Sequence, residues 1–310
     1  MNRKTIIWLA RLILSVVLLL VVYSRIDAEQ LLAGLAGLGG LAVLAYSFSW
    51  LGAMFLPAIA VWRLASSEKR IPLGRFVAIN HVNRLIGLAT PFIVAAGARF
   101  YQYVDVGLSK RHSLALLFIN KLINVGISLL LIAALGLLLR RRADDVFIDT
   151  AIYLSAALLA AMILGIALAH RLARHFKDKP GSLGQRADRV FNAVRGLSPQ
   201  RWVLVAAVAL LANLALAFCQ WLLLYDAGQP IGFHEMLWAR SVLAIVLMAP
   251  VSVAGLGFRD LTLVAALGLF GVAAHQAALL AVILLGFQVV HGLLGFVLEQ
   301  ISLFRPRRRD

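Results

Sequence analysis

Four arginines stand in otherwise apolar surroundings: Arg84, Arg99, Arg240 and Arg259. A charge near the centre of a bilayer costs roughly 2.5–3.5 kcal/mol on insertion scales, so it usually faces a cavity or a partner. Arginine's planar fork matches two phosphate oxygens. Together these residues are expected to form a cationic site for the anionic headgroup of a lipid. Two alternatives compete: each side chain can snorkel to an interface, and Arg259 can pair with the adjacent Asp260. Asp260 joins the candidate set on either reading. Asn80, Asn83 and Arg84 share a helical face by their spacing of three and four. Lys121, flanked by Asn120 and Asn124 and continued by Ser128, is a further headgroup candidate, although such polar stripes also hold helices together.

Near the C-terminus Gln288, His291, Gly295 and Glu299 recur on one helical face. A proton relay through His291 and Glu299 is one use of it, and plain helix packing is the other. The remaining histidines show no metal-ligand spacing. Cys219 is the single cysteine, so neither an internal disulfide nor a cysteine metal site is available. No G-x-x-x-x-G-K-[ST], G-x-S-x-G or H-E-x-x-H pattern occurs. The expectation is a non-enzymatic protein with no cofactor and no metal.

Those residues must be positioned by elements immersed in lipid. Of 310 residues, 62% are hydrophobic and 14% charged, while soluble domains lie near half and a quarter. Apolar runs at 6–23, 38–62, 114–139, 148–170, 202–225 and 275–303 are each long enough to span a bilayer. Segments 76–98 and 236–272 are apolar but interrupted, the first by Pro91 and Gly97, the second by Pro250, Gly255 and Gly257. Proline removes a helix donor and glycine loosens the backbone. Non-helical backbone at membrane depth needs protein or water around it, so both segments read as re-entrant or broken helical hairpins. The fold class expected is an all-α polytopic membrane protein with about six full spans and two such hairpins.

The net charge of +16 would suggest nucleic acid in a soluble chain. Here it fits basic cytoplasmic loops, and no nucleic-acid partner is expected. With both hairpins returning to the side they came from, the cytoplasmic stretches carry Arg3 and Lys4, Arg63 to Arg75, Arg99 to Arg111, the basic loop 171–201, and Arg305 to Arg309. Outside fall Arg25 and Arg140 to Arg142, the latter offset by Asp144, Asp145 and Asp149. This places both termini in the cytoplasm and the chain in the inner (plasma) membrane.

A repeat is visible as well. Pro72 precedes Pro91 by 19 residues and Arg99 follows 8 later; Pro230 precedes Pro250 by 20 and Arg259 follows 9 later. The chain then reads as one membrane domain, 1–310, of two inverted halves, approximately 1–142 and 143–310. Inverted repeats with broken helices are a transporter architecture.

The stretch Pro250-Val-Ser-Val-Ala-Gly-Leu-Gly-Phe-Arg259-Asp260, with Leu269-Phe-Gly-Val272 after it, resembles the signature of the flippase-like family, the transmembrane region of lysylphosphatidylglycerol synthases. Tyr23-Ser-Arg-Ile-Asp27 and Pro91…Gly97-Ala-Arg99 are similar too. The resemblance implies a polytopic fold with re-entrant helices that moves lipids between leaflets, aminoacylated phosphatidylglycerol in the synthases. The soluble aminoacyl-transferase domain is not in these residues, so no lysyl-lipid synthesis is expected. Asp260 stands where the family often has glutamate, and Asn120-Lys121 where it often has Glu-Arg; these departures bear on substrate identity. The function expected is translocation of an anionic (glyco)phospholipid or polyprenyl-phosphate-type lipid, with a lipid-modifying enzyme as a candidate partner. The alternatives are a membrane-embedded enzyme on lipid-linked sugars or phosphates, and a non-transporting subunit docked through loop 171–201.

Overall fold

The computed structural model describes residues 39–65, 71–90, 92–140, 146–175, 198–248 and 257–303, with scattered positions between 13 and 37. Most of the first apolar run, Pro91, Pro250, Gly255 and most of the basic loop lie outside the described residues. All regular structure among the described residues is helical. Helix α1 spans Leu41–Ala65. It is followed by α2 (Leu73–Ala89), α3 (Phe92–Asp105), α4 (Lys110–Leu139), α5 (Val146–His175), α6 (Pro199–Asp226), α7 (Phe233–Val246), α8 (Phe258–Gly268) and α9 (Ala274–Leu303).

Length divides these helices into two kinds. Five are long and apolar enough to cross a membrane: α1, α4, α5 over Val146–Leu168, α6, and α9 over Ala274–Val297. The interrupted segments instead give helices of 17 and 14 residues, then 14 and 11. At 1.5 Å per residue the two shortest kinds reach only about 16–21 Å, against a hydrocarbon core of about 30 Å. The polytopic all-α class is therefore present, with both interrupted segments split in two.

The first split falls between Ala89 and Phe92, where the sequence places a proline that lacks a donor and restricts the residue before it. Gly97 does not contribute to it. That residue lies inside α3, and a Cβ there would meet nothing within 4 Å. One glycine costs a helix only about 1 kcal/mol, which is too little to end it. In the second segment Gly257 is a true breakpoint, with φ +74° just before α8.

Both halves of that second segment begin with one local device. In Gly232-Phe-His-Glu235 the Gly232 N–H donates to Glu235 Oε2 at 2.7 Å. In Gly257-Phe-Arg-Asp260 the Gly257 N–H donates to Asp260 Oδ2 at 2.8 Å. An acid at the third helical position takes the cap N–H and meets the positive end of the helix dipole.

The chain folds as two compact units: Met1–Phe55, Val77–Arg99 and Ala212–Asp310 form the first, and Leu56–Phe76 and Phe100–Leu211 the second. They interleave along the sequence.

In the first unit α8 packs against both α7 and α9. Trp238 is fully buried, with Phe270 edge-on to it at 5.8 Å. Small residues let helices approach closely without lipid between them. A Cβ on Gly52 would sit 2.7 Å from the Ala212 carbonyl oxygen, and one on Gly295 would sit 2.6 Å from the His81 carbonyl carbon and 2.7 Å from the Val82 nitrogen. Half of the α9 window is buried, against 11% for α5, so α9 is the central helix of its unit while α5 turns most of its surface to lipid. Gly295→Val is expected to push α9 off α2 and destabilise the protein by about 1–3 kcal/mol, the usual cost of overpacking. A thermal melt in detergent, with Gly286→Val (open space around the Cβ) as control, reads this directly. Equal midpoints for the two variants would refute the close approach.

In the second unit α4 packs on α5 and on the C-terminal half of α1. Trp62 Nε1 donates to the Ile71 carbonyl at 2.8 Å, and the Arg63 guanidinium lies 4.9 Å from the Trp62 ring. Arg140 Nε meets Asp149 Oδ1 at 2.9 Å, tying the α4–α5 connection. An apolar cavity of about 440 Å³, lined by Phe118, Leu122, Ile127, Met162 and Trp202 among others, opens in this unit.

Candidate functional site

The polar interior of the first unit is assembled from α1, α2, α6, α7 and α9. Helix α1 supplies its part through an irregularity. Leu51–Phe55 is a π-helical turn, and Pro57, two residues beyond, has no N–H to give the ladder. Such turns upset carbonyl pairing and recur at functional sites. Asn80 Nδ2 of α2 takes up the Met54 carbonyl at 3.1 Å. Just before the turn, Ser49 is buried against the Cys219 thiol of α6.

Trp50 Nε1 donates to His81 Nε2 at 3.1 Å, and His81 Nδ1 lies 2.8 Å from the Val77 carbonyl. Tryptophan can only donate. His81 Nε2 is therefore the acceptor, Nδ1 carries the proton and donates to Val77, and the ring is neutral. The His291 ring of α9 lies 6.4 Å from His81 and 5.0 Å from Tyr46. Its Nε2 is buried without a hydrogen-bond partner.

Three arginines enter this interior. Arg84 of α2 interacts electrostatically with Arg99 of α3 and Arg240 of α7, and with His291. Arg240 in turn acts on Cys219, and its Nε is buried with no hydrogen-bond partner. Among the described residues no carboxylate pairs with Arg84, Arg99 or Arg240. Arg84 thus has two like charges acting on it in a poorly polarisable interior. The arrangement can do one thing well: hold an anion by charge-assisted, forked hydrogen bonds.

The other candidates are placed differently. Arg259 and Asp260 are both buried and bonded to each other, Nη2 to Oδ1 at 2.9 Å and Nε to Oδ1 at 3.3 Å. Asp260 also receives the Gly257 N–H, so one carboxylate both neutralises Arg259 and caps α8. Lys121 projects from the exposed side of α4 in the second unit. Glu299 lies two helical turns beyond His291 on α9, with its side chain outside the described residues. Asn120 and Asn124 bond to one another along α4. Among the described residues no three metal-ligating side chains converge.

Sequence reasoning passed over Trp50, Ser49 and His81 as members of this interior. The available signal was Pro57 within a spanning run, preceded by Ser47-Phe-Ser-Trp50.

Spanning helices and two split segments define a polytopic all-α membrane protein. The chain belongs to the family of the lysylphosphatidylglycerol synthase TM region, whose model matches residues 8–295. No curated protein matches the sequence significantly.

Proposed function

We propose that this protein translocates an anionic lipid between the leaflets of the inner membrane and catalyses no covalent chemistry. The observation that carries the proposal is the Arg84–Arg99–Arg240 cluster, three guanidiniums without a described carboxylate partner in a bundle of membrane-length helices. Membership of a lipid-related membrane family supports it. The split segments act as re-entrant hairpins, because short helices that end inside a bundle can move without breaking a span. The headgroup lies among the three arginines, and its acyl chains stay in lipid. Both termini lie in the cytoplasm, where basic loop 171–201 faces anionic lipid.

Translocation is tested in liposomes holding purified protein and headgroup-labelled acidic phospholipids, scored by accessibility to a membrane-impermeant quencher. The expected result is bleaching well beyond the outer-leaflet half within the assay, while protein-free liposomes stop at half. Folded protein that moves no acidic lipid would overturn the reading. For topology, a reporter fused after residue 310 is expected to be active only when it is a cytoplasmic reporter; activity of a periplasmic one would refute the assigned orientation.

A further inference from the structure

An apolar slot in the second unit has the dimensions of a single hydrocarbon chain. We propose that this slot, between α4, α5 and α6, is a binding site for one unbranched acyl chain of a membrane phospholipid. The site lies wholly within Phe100–Leu211 of that unit. It rests neither on the translocator reading nor on the buried arginines.

Residue spacing on α4 builds the long wall. Phe118, Leu122, Gly126 and Leu130 recur at every fourth position and all line the cavity. The slot therefore runs about 18 Å along that helix, at 1.5 Å per residue. Met162 of α5 and Trp202 of α6 complete it. At Gly126 the helices α4 and α5 close on each other, since a Cβ there would stand 3.2 Å from Met162 Cε. Toward the two ends Phe118 is 48% and Leu130 57% exposed. All three helices contain spans of membrane length, so the slot opens sideways toward lipid.

Size and chemistry select the occupant. The cavity measures about 440 Å³, and an apolar cavity of about 150 Å³ already takes up benzene. Water does not suit it, because a buried water needs polar partners and Trp202 alone among the lining side chains carries a hydrogen-bond donor. Shape excludes a helix from a second copy. Spread over about 18 Å, the volume has a mean cross-section of about 24 Å². A helix with its side chains is about 10–12 Å across, which is far too wide; a single polymethylene chain fits. Trp202 is the fourth residue of α6, and tryptophan favours the membrane–water boundary. Arg201 beside it suits the phosphate of a phospholipid. The headgroup thus stays at the end of α6 and the chain runs inward along α4.

The test begins with full-length protein washed in detergent until loosely held lipid is gone, then extracted for phospholipid. The expected result is a single phospholipid retained per chain. Stripped protein held in amphipol is next titrated with cis-parinaric acid, an unbranched fluorescent chain, read by energy transfer from tryptophan. Saturable binding is expected. Each methylene kept out of an apolar site is worth about fourfold in affinity, so Ala206→Phe, which sets a ring into the slot, should weaken binding by at least about tenfold. It should also lose the retained phospholipid. Leu158→Phe, on an exposed face of α5 outside the slot, should leave both unchanged. On the wild-type protein, methyl-branched phytanic acid should compete about tenfold less well than palmitic acid, because its branches overpack a narrow site.

Absence of saturable binding would overturn the assignment. Equal binding by wild type and by Ala206→Phe, with unchanged melting and gel filtration, would do the same. So would equal competition by the branched and unbranched acids, a comparison that needs no variant and stands even where Ala206→Phe does not fold. A wild-type dimer that Ala206→Phe converts to monomer would give the cavity to a second copy and overturn the acyl-chain reading. The assay reads chain binding alone. A protein that holds parinaric acid yet moves no acidic lipid would retain this assignment while the translocator reading fails.

Discussion

Arg240→Ala is expected to lower lipid translocation by about ten- to a hundredfold, the worth of one lost charge-assisted contact of roughly 1.5–3 kcal/mol. Arg84→Ala should act similarly, because Arg84 is the member that feels both other arginines. The more telling expectation concerns stability. An ordinary buried residue loses stability when truncated. Each of these arginines, by contrast, stands among like charges with no described carboxylate beside it, so its removal relieves repulsion. The thermal midpoint of either variant should match or exceed that of wild type while transport falls. Sites that give up stability for binding behave this way. The measurement is the liposome assay paired with a melt in the same detergent. Loss of transport accompanied by a comparable loss of stability would mean that the arginines hold the bundle together, and the headgroup assignment would fall.

Asp260→Asn is expected to have the opposite signature: a stability loss of about 3–5 kcal/mol, the cost of leaving one member of a buried ion pair uncompensated. The asparagine oxygen can still accept the Gly257 N–H, so the cap survives. The charge on Arg259 does not find another described partner. Asp260→Ala should cost somewhat more, since the cap is lost as well. The double variant Arg259→Leu with Asp260→Asn should recover much of the deficit, because the uncompensated charge disappears. Chemical or thermal unfolding in detergent across this cycle tests the pair. Wild-type stability in Asp260→Asn would show that Arg259 finds its counter-charge elsewhere, and would return Arg259 to the headgroup set.

The two experiments together separate arginines that the sequence places on equal terms. Arg99 and Arg259 close two similar motifs, Pro91 to Arg99 and Pro250 to Arg259. Nothing local distinguishes their roles beyond the acid that follows Arg259. In the structure that acid is within 2.9 Å of the guanidinium and also caps a helix, while among the described residues Arg99 pairs with no carboxylate. The repeat in sequence thus does not carry over into equivalent chemistry.

What the sequence by itself determined rests on local physics. Hydrophobic run length set the spanning helices, because a backbone in lipid must satisfy its own hydrogen bonds. Proline marked the first split, between Ala89 and Phe92, because a missing N–H acts where it stands. The spacing of Asn80, Asn83 and Arg84 put them on one face of a helix that does form. Tertiary structure decided what depends on helix rotation and on neighbours far along the chain. Packing of α4 on α5 leaves Lys121 on an exposed face, and close approach at Gly295 brought α9 against His81. Periodicity gives the direction of a side chain relative to its own helix; only the packing of that helix on others determines whether the direction leads to lipid, to a counter-charge or to another cation.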